Sequence, residues 1–433
     1  MSTVLSEVLS DGRMLVLEEE AGIAEGWATI REQVLEAAES VCGPAARARL
    51  TRDGLGALHE VLPAEAIGQL RDEVMPRVRA TLFEVTCRVA REVLGVEDPF
   101  YVDDYTILRV NYPYEVALNA PMTTENPGIG RVSDGARRAA GTRVVDPVYD
   151  PRGYHRDQPP AAWAHGPHLD TWTGHSRDGV NLWWAIGDVL AENSMFFYPE
   201  LFGVPLSPDP TSLYLREGRP LPRPVPMPLR AGQMLVFNPE VLHGTHLNVS
   251  GRTRVAASTR INAREPAFDP TCFYAREFWH DSKALDAGDL ETLTRFPRES
   301  HLAPPPVQPS ADEAPGPVPR VRFDPDLSQG EWCDVAAAQA LASKGKLLLV
   351  ASDDEPLWLL CRTTDRLWAV GARCPHLGSS LSDGHHDSTH LTCPAHAVRF
   401  ELCSGKSPSP VLRLATAEIR ERAGRLELRT GAP

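Results

Sequence analysis

The stretch HLAPPPVQPSADEAPGPVPR, His301–Arg320, limits what this chain can fold into more than any other. Seven prolines in twenty residues remove amide donors and fix backbone angles, so neither a helix nor a central strand can run through it. It reads as an extended, semi-stiff tether between residues 1–300 and residues 321–433. A length of 433 residues also exceeds what one core usually serves, and about two to three domains are expected.

Upstream of the tether, the first hundred residues are mainly helical in pattern. PAEAIGQLRDEVMPRVRATLFEVTCRVAREVLG, Pro63–Gly95, spaces its apolar residues helically and stops on glycine. From YTILRVNYP onward, over about residues 105–265, strand patterns separated by turn residues take over. Between Ala120 and Ala162 a Gly-, Pro-, Asp- and Arg-rich stretch has no periodicity, and loops of this length inside a domain point to a lid over a pocket. Its GIGRVSDG lacks the third glycine and the preceding strand of a dinucleotide fingerprint. Downstream, KLLLVAS, PLWLLCR and RLWAVG read as a small all-β domain, so the whole is mainly β with N-terminal helices.

A hydrophobic content of 42% with 24% charged residues is that of a globular protein. The net charge of −14 argues against nucleic acid or an anionic membrane as the main partner. No apolar run approaches a membrane span, and MSTVLSEVLSDGR lacks a signal-peptide pattern, so a cytoplasmic location is expected. Eight cysteines are too sparse for a disulfide framework.

AHGPHLDTW sets His168 and Asp170 two residues apart, on one face if the segment is a strand. An imidazole and a carboxylate so placed are two of the three ligands of a facial Fe(II) site, which leaves positions open for reactants. Alone the pattern is cheap, and a surface histidine beside an aspartate explains it equally. The distal segment GQMLVFNPEVLHGTHLNVSGRTRVAASTRIN supplies His243 or His246 as a third ligand. Arg254, eleven residues after His243, is placed to pair bidentately with the far carboxylate of a keto diacid, with Arg252 as runner-up. Trp172, Trp183 and Trp184 read as core or pocket wall, and His165 and His175, which flank the metal motif, as solvated loop histidines rather than substrate contacts.

With HGTHLN and NLWWAIGDVLAENSMFFYPE, this region resembles the phytanoyl-CoA dioxygenase-like family over about Tyr105–Glu265. The resemblance implies a double-stranded β-helix, or jelly roll, and an activity that depends on Fe(II), 2-oxoglutarate and O2. It implies His168, Asp170 and His243 as iron ligands and Arg254 as the partner of 2-oxoglutarate. It favours His243 because the family's distal histidine precedes a small-residue pair and then an asparagine, here Asn248, which leaves His246 a supporting position. The hydroxyl residue that many relatives carry two positions after the arginine is Ala256 here, which leaves its part to Ser258 or to another donor.

CPHLGSSLSDGHHDSTHLTCPAH gives Cys374-x-His376, sixteen residues, then Cys393-x-x-His396. Two thiolates and two imidazoles suit a [2Fe–2S] cluster with both cysteines on one iron and both histidines on the other, or a single structural zinc ion. The flanks LWAVGARCPH and CPAHAVRFELCSGK resemble Rieske ferredoxin-like domains over about Val321–Thr430. The positions of the extra cysteines of high-potential members are Ser379 and Ala395, which implies the low-potential kind, and Ala397 stands where the family usually has glycine. His385, His386 and His390 in the spacer are expected to be exposed.

Hydroxylation with 2-oxoglutarate is balanced without outside electrons, since decarboxylation supplies two and the substrate C–H bond two. A redox-neutral stereoinversion takes none from the substrate, so two must arrive singly, and a one-electron cluster suits that. The expected function is thus a 2-oxoglutarate-dependent oxidoreductase acting on a C–H bond of a polar small molecule in specialised metabolism. Its outcome is hydroxylation or, with electrons through the Rieske cluster from an external reductase or ferredoxin, radical epimerisation. The alternatives are a redox or oxygen sensor, and a metal-binding module without dedicated turnover.

Overall fold

Four helices open the chain: α1 (Thr3–Asp11), α2 (Ile23–Cys42), α3 (Pro44–Asp53) and α4 (Ile67–Arg88). The Ser2 hydroxyl accepts from the Leu5 amide to cap α1, which stops at left-handed Gly12. The helix expected over 63–95 is seen as α4 with a π turn at Val89–Val93, closing at Gly95 with φ 63°. In this computed structural model the described residues are 2–104, 107–118, 164–209, 212, 214–268, 279–294, 296, 316–324, 330–342 and 345–431. The expected lid at 120–162 and the tether up to residue 315 lie outside them.

Ten strands form two sheets after and around these helices: β1 (Leu15–Leu17), β2 (Tyr101–Asp103), β3 (Ile107–Asn111), β4 (Gly179–Ala185), β5 (Met195–Phe197), β6 (Val225–Pro226), β7 (Met234–Phe237), β8 (His243–Thr245), β9 (Arg254–Asn262) and β10 (Trp279–Asp281). The larger sheet runs β1-β7-β4-β9-β2-β10, with β3 also on β9, and the smaller runs β6-β5-β8. Alternation sorts the strand residues into two layers. Trp183, Ala185, Leu235, Phe237 and Ala256 face inward and pack on Met195 and Phe197 of the smaller sheet, while Leu182, Trp184, Val255, Ala257 and Ile261 turn outward under the helices. The result is the jelly roll. Gly26 of α2 lets the helix lie directly on the sheet, because a Cβ there would sit 2.6 Å from Val85 and 2.8 Å from Trp184. Strand β1 was not expected in the helical region; it pairs antiparallel with β7, a non-local contact that three residues cannot announce.

The C-terminal unit is all β. Its main sheet is ordered Arg320–Arg322, Lys346–Val350, Pro356–Arg362, Leu367–Gly371, Thr416–Arg422, Arg425–Arg429 and Cys333–Ala337, so the tether's last residue already begins a strand. Leu347, Leu349, Leu360, Leu426 and Leu428 fill its core. A separate hairpin joins His390–Thr392 to Arg399–Glu401 and carries the second cysteine loop. Among the described residues no helix is long and apolar enough to cross a membrane.

Candidate metal centres

His168 and Asp170 do not share a strand as the spacing suggested. His168 forms a β-bridge with His243, each backbone amide donating to the other's carbonyl at 2.8 and 3.1 Å, and Asp170 opens a 3-10 turn, Asp170–Thr173. The three side chains still converge, and their ligand atoms lie within 4.8 Å of one another in the barrel. Asp170 Oδ1 is 3.5 Å from His168 Nε2 and 3.9 Å from His243 Nε2. Each Nδ1 meets a backbone carbonyl at 2.8 Å, Gly166 O for His168 and Val241 O for His243. Those bonds place the proton on Nδ1 and turn an Nε2 lone pair to the centre, the tautomer a metal requires.

The electrostatics agree with that chemistry. Burial, then the neighbouring His168, push His243 down to about 4, so it stays neutral. Burial alone would raise the Asp170 carboxyl, but His175, Arg260, His168 and His243 outweigh it and hold the group well below the usual range. Asn181 Nδ2 donates to Asp170 Oδ2 at 2.7 Å, and Arg260 Nη2 stands 3.7 Å from the same oxygen. Sequence reasoning missed Asn181 and Arg260, and it misjudged His175. That histidine is 4% exposed, not solvated, with Nε2 3.9 Å from Asp170 Oδ1. His165 is half-buried, its Nδ1 3.1 Å from the Tyr214 hydroxyl.

Arg254 points inward from the start of β9, with its guanidinium over Trp183 and Nη1 donating to Asn193 O at 2.9 Å. Burial first, and Arg109 on β3 next, push it down to about 9, still cationic at neutral pH. Its Nε and the Ser258 hydroxyl are buried without a hydrogen-bond partner, so the pocket holds polar atoms that an incoming dicarboxylate would satisfy. Arg252 is exposed and binds Asp53 O at 3.0 Å, which removes it as the carboxylate partner. His246 is buried, but its Nδ1 meets Leu247 O at 2.7 Å and it stands outside the triad. Trp172, Trp183 and Trp184 are buried, as expected of core or wall.

In the C-terminal unit, His376 and His396 bring their Nδ1 atoms to 3.2 Å, rings 4.9 Å apart. The interaction of the neighbouring Cys374 and Cys393 thiols raises Cys374 and lowers Cys393 toward the thiolate. Among the described residues no three of these four place ligand atoms within 4.8 Å, whereas one zinc ion would draw all four that close. Paired nitrogens and paired sulfurs suit two irons. The two loops are alike: Gly378 N donates to Cys374 O at 2.9 Å and Ala397 N to Cys393 O at 3.0 Å, with left-handed residues at Gly378 (φ 73°) and Ala397 (φ 57°). At Ala397 this costs about 1–2 kcal/mol. His385, His386 and His390 are half-buried, not exposed as expected. A cavity of ≈ 480 Å³ lies between the units, lined by Gly166, Tyr214, Glu217, Asp383 and Ala395.

Comparison with known proteins matches two families. Residues 50–256 match the phytanoyl-CoA dioxygenase (PhyH) family, and residues 331–411 the Rieske [2Fe-2S] domain. The first match starts inside the helices, upstream of where the sequence resemblance began. The ferredoxin component of the naphthalene 1,2-dioxygenase system of Pseudomonas putida is 27% identical over 77 residues, 18% of this chain and 72% of that protein. Among solved structures, the ferredoxin of carbazole 1,9a-dioxygenase from Nocardioides aromaticivorans IC177 is 20% identical with a TM-score of 0.21, covering 23% of this chain and 97% of that one. The epimerase SnoN, in complex with Fe3+, alpha ketoglutarate and nogalamycin RO, is 17% identical with a TM-score of 0.33, covering 72% and 94%. The chain thus joins a phytanoyl-CoA dioxygenase domain to a Rieske domain: it is an oxygenase-type enzyme that works with Fe(II), 2-oxoglutarate and O2 and carries its own [2Fe–2S] cluster.

Proposed function

We propose that this enzyme removes a hydrogen atom from a C–H bond of a polar small molecule and, fed with electrons through its Rieske domain, returns one to the opposite face. His168, Asp170 and His243 hold Fe(II), Arg254 holds the far carboxylate of 2-oxoglutarate, and Cys374, His376, Cys393 and His396 hold the cluster. The observation that carries this reading is the convergence of the first three in the barrel, both imidazoles turned by backbone carbonyls, in a chain that also pairs two histidines and two cysteines.

Iron with 2-oxoglutarate and O2 supplies an oxidant strong enough to break an unactivated C–H bond. The protein's part is positioning. Asn181 fixes the Asp170 carboxylate so that Oδ1 faces the histidines, and buried Arg254 offers an unpaired Nε to the incoming carboxylate. Trp183 and Phe237 line the barrel interior and exclude water from it. Inversion draws two outside electrons for each product and hydroxylation draws none, so the presence of a cluster on the chain favours inversion.

The test follows both electrons and atoms. Fe(II)-loaded protein should develop the visible charge-transfer absorption of a chelated 2-oxo acid when 2-oxoglutarate is added, and His243→Ala should abolish it. Arg254→Gln should raise the 2-oxoglutarate concentration needed by about tenfold or more, the worth of a charged bidentate pair. With substrate, two electrons consumed per product and no oxygen atom gained support inversion. An oxygen gained with no electron drawn makes the enzyme a hydroxylase.

A further inference from the structure

The two cluster loops differ at one place that bears on where the cluster's electron goes. At Gly378, in the first loop, a Cβ would meet nothing within 4 Å. At the matching Ala397 the methyl group is 4% exposed and packs among Trp172, Phe196, Tyr198, Leu201, Leu221 and Leu242, all of the barrel unit. An alanine in a left-handed conformation is strained, and burial of its methyl in this apolar cluster offsets part of that cost. Beside it the Leu247 amide donates to the His396 carbonyl at 3.1 Å, and the His246 ring engages the Ala397 backbone. The other histidine is half-buried, with the Tyr114 ring edge-on to His376 at 5.1 Å. Further along the border, Gly218 N and Leu221 N donate to Asp383 Oδ2 and O at 2.6 and 2.8 Å.

We propose that Ala397 and the His396 carbonyl form a latch that docks the histidine tip of the cluster onto the His243–Leu247 segment of the same chain, so that each chain's cluster serves its own iron. The proposal rests on the reading that the cluster delivers electrons. From His396 O the route crosses one hydrogen bond to Leu247 and then at most about 13 Å of extended chain to His243. In each transfer the reduced cluster loses one electron and the ferric mononuclear iron gains it to become ferrous. No bond is made or broken at Ala397, His246 or Leu247, which are positioning residues. A one-electron reductant, dithionite in vitro, refills the cluster.

The test uses full-length protein with both metal centres loaded, and its first readout is hydrogen exchange at Leu247. The amide should be protected in the wild type. Ala397→Asp, which puts a charge among six apolar side chains, should speed its exchange about tenfold or more, with the cluster's visible absorption and the protection of Lys346–Val350 unchanged. Ala397→Gly, which removes only the methyl and relieves the backbone, should shift it the same way by a smaller factor. Fast exchange in the wild type, or no change in Ala397→Asp, overturns the latch. The second readout is the visible absorbance of a dithionite-reduced cluster as it reduces ferric iron in the absence of substrate. Its rate should be independent of protein concentration and slower in Ala397→Asp, and a rate proportional to concentration overturns the same-chain assignment. If no electron passes while Leu247 stays protected, the relay reading fails and the latch stands.

Discussion

Asn181 Nδ2 holds Asp170 Oδ2 at 2.7 Å, which leaves Oδ1 as the oxygen facing the histidines. Replacing it with leucine should weaken Fe(II) binding about 10–100-fold, as measured by competition with a chelator, while the fold persists. A second residue-scale consequence concerns pH. His243 is held at about 4 against an ordinary 6.5, so the unfolded chain takes up a proton in that interval and the folded chain does not. The stability of metal-free protein should therefore fall as pH drops from 6.5 toward 4, by about 2 kcal/mol at pH 5 from this group alone. His376, also pushed down to about 4 by burial, and His246, lowered by burial, act in the same direction. Urea midpoints at pH 7 and pH 5 measure it, and an unchanged midpoint counts against these histidines being neutral in the fold. The pair His168 and Asp170 stood out by its short spacing, whereas His243 was chosen over His246 only through the family resemblance. Asn181 and His175 were not legible, because asparagine and histidine in a loop or strand have many ordinary uses.

At the scale of elements, register explains what the motif could not. Strands β4 and β9 pair with Asn181 opposite Arg260, and that pairing brings both to Asp170 from segments some eighty residues apart. Along β9, Arg254, Ala256, Ser258 and Arg260 alternate inward while Val255, Ala257, Thr259 and Ile261 face the helices, where the Thr259 and Thr86 hydroxyls meet at 2.8 Å. Period-two alternation made β9 readable, and the long apolar period made α4 readable. Strand β1 and the bridge between His168 and His243 were not, since each exists only through a distant partner. Strand β8 is packed tightly beside its metal-facing histidine. A Cβ on Gly244 would lie 2.4 Å from Phe196 Cζ and 3.0 Å from His165 O. Gly244→Ala should cost about 1–3 kcal/mol of stability in thermal or urea unfolding and lower the iron content, because the strand that aims His243 must shift.

For the whole molecule, the proline-rich stretch was the sequence's reason to expect a division, because it can continue neither a helix nor a central strand. The contact between the units was invisible in sequence: it is made of backbone hydrogen bonds, such as Leu247 N to His396 O, and of a methyl group at Ala397, a position usually given to glycine. Metal analysis should find three irons and two sulfides per chain, and Cys393→Ser should remove two irons and the visible colour while the Fe(II) absorption with 2-oxoglutarate survives. A diffusible carrier must offer one face in turn to the protein that loads it and the protein it serves. Here the tip bearing His376 and His396 already lies against Tyr114 and Leu247, with His396 buried and His376 half-buried, so much of that face is taken. On the proposed relay a reductase would be received elsewhere on the C-terminal unit, which would separate the entrance for electrons from their exit. Natural change or design can then alter the choice of donor through exposed residues of that unit without disturbing delivery to the iron.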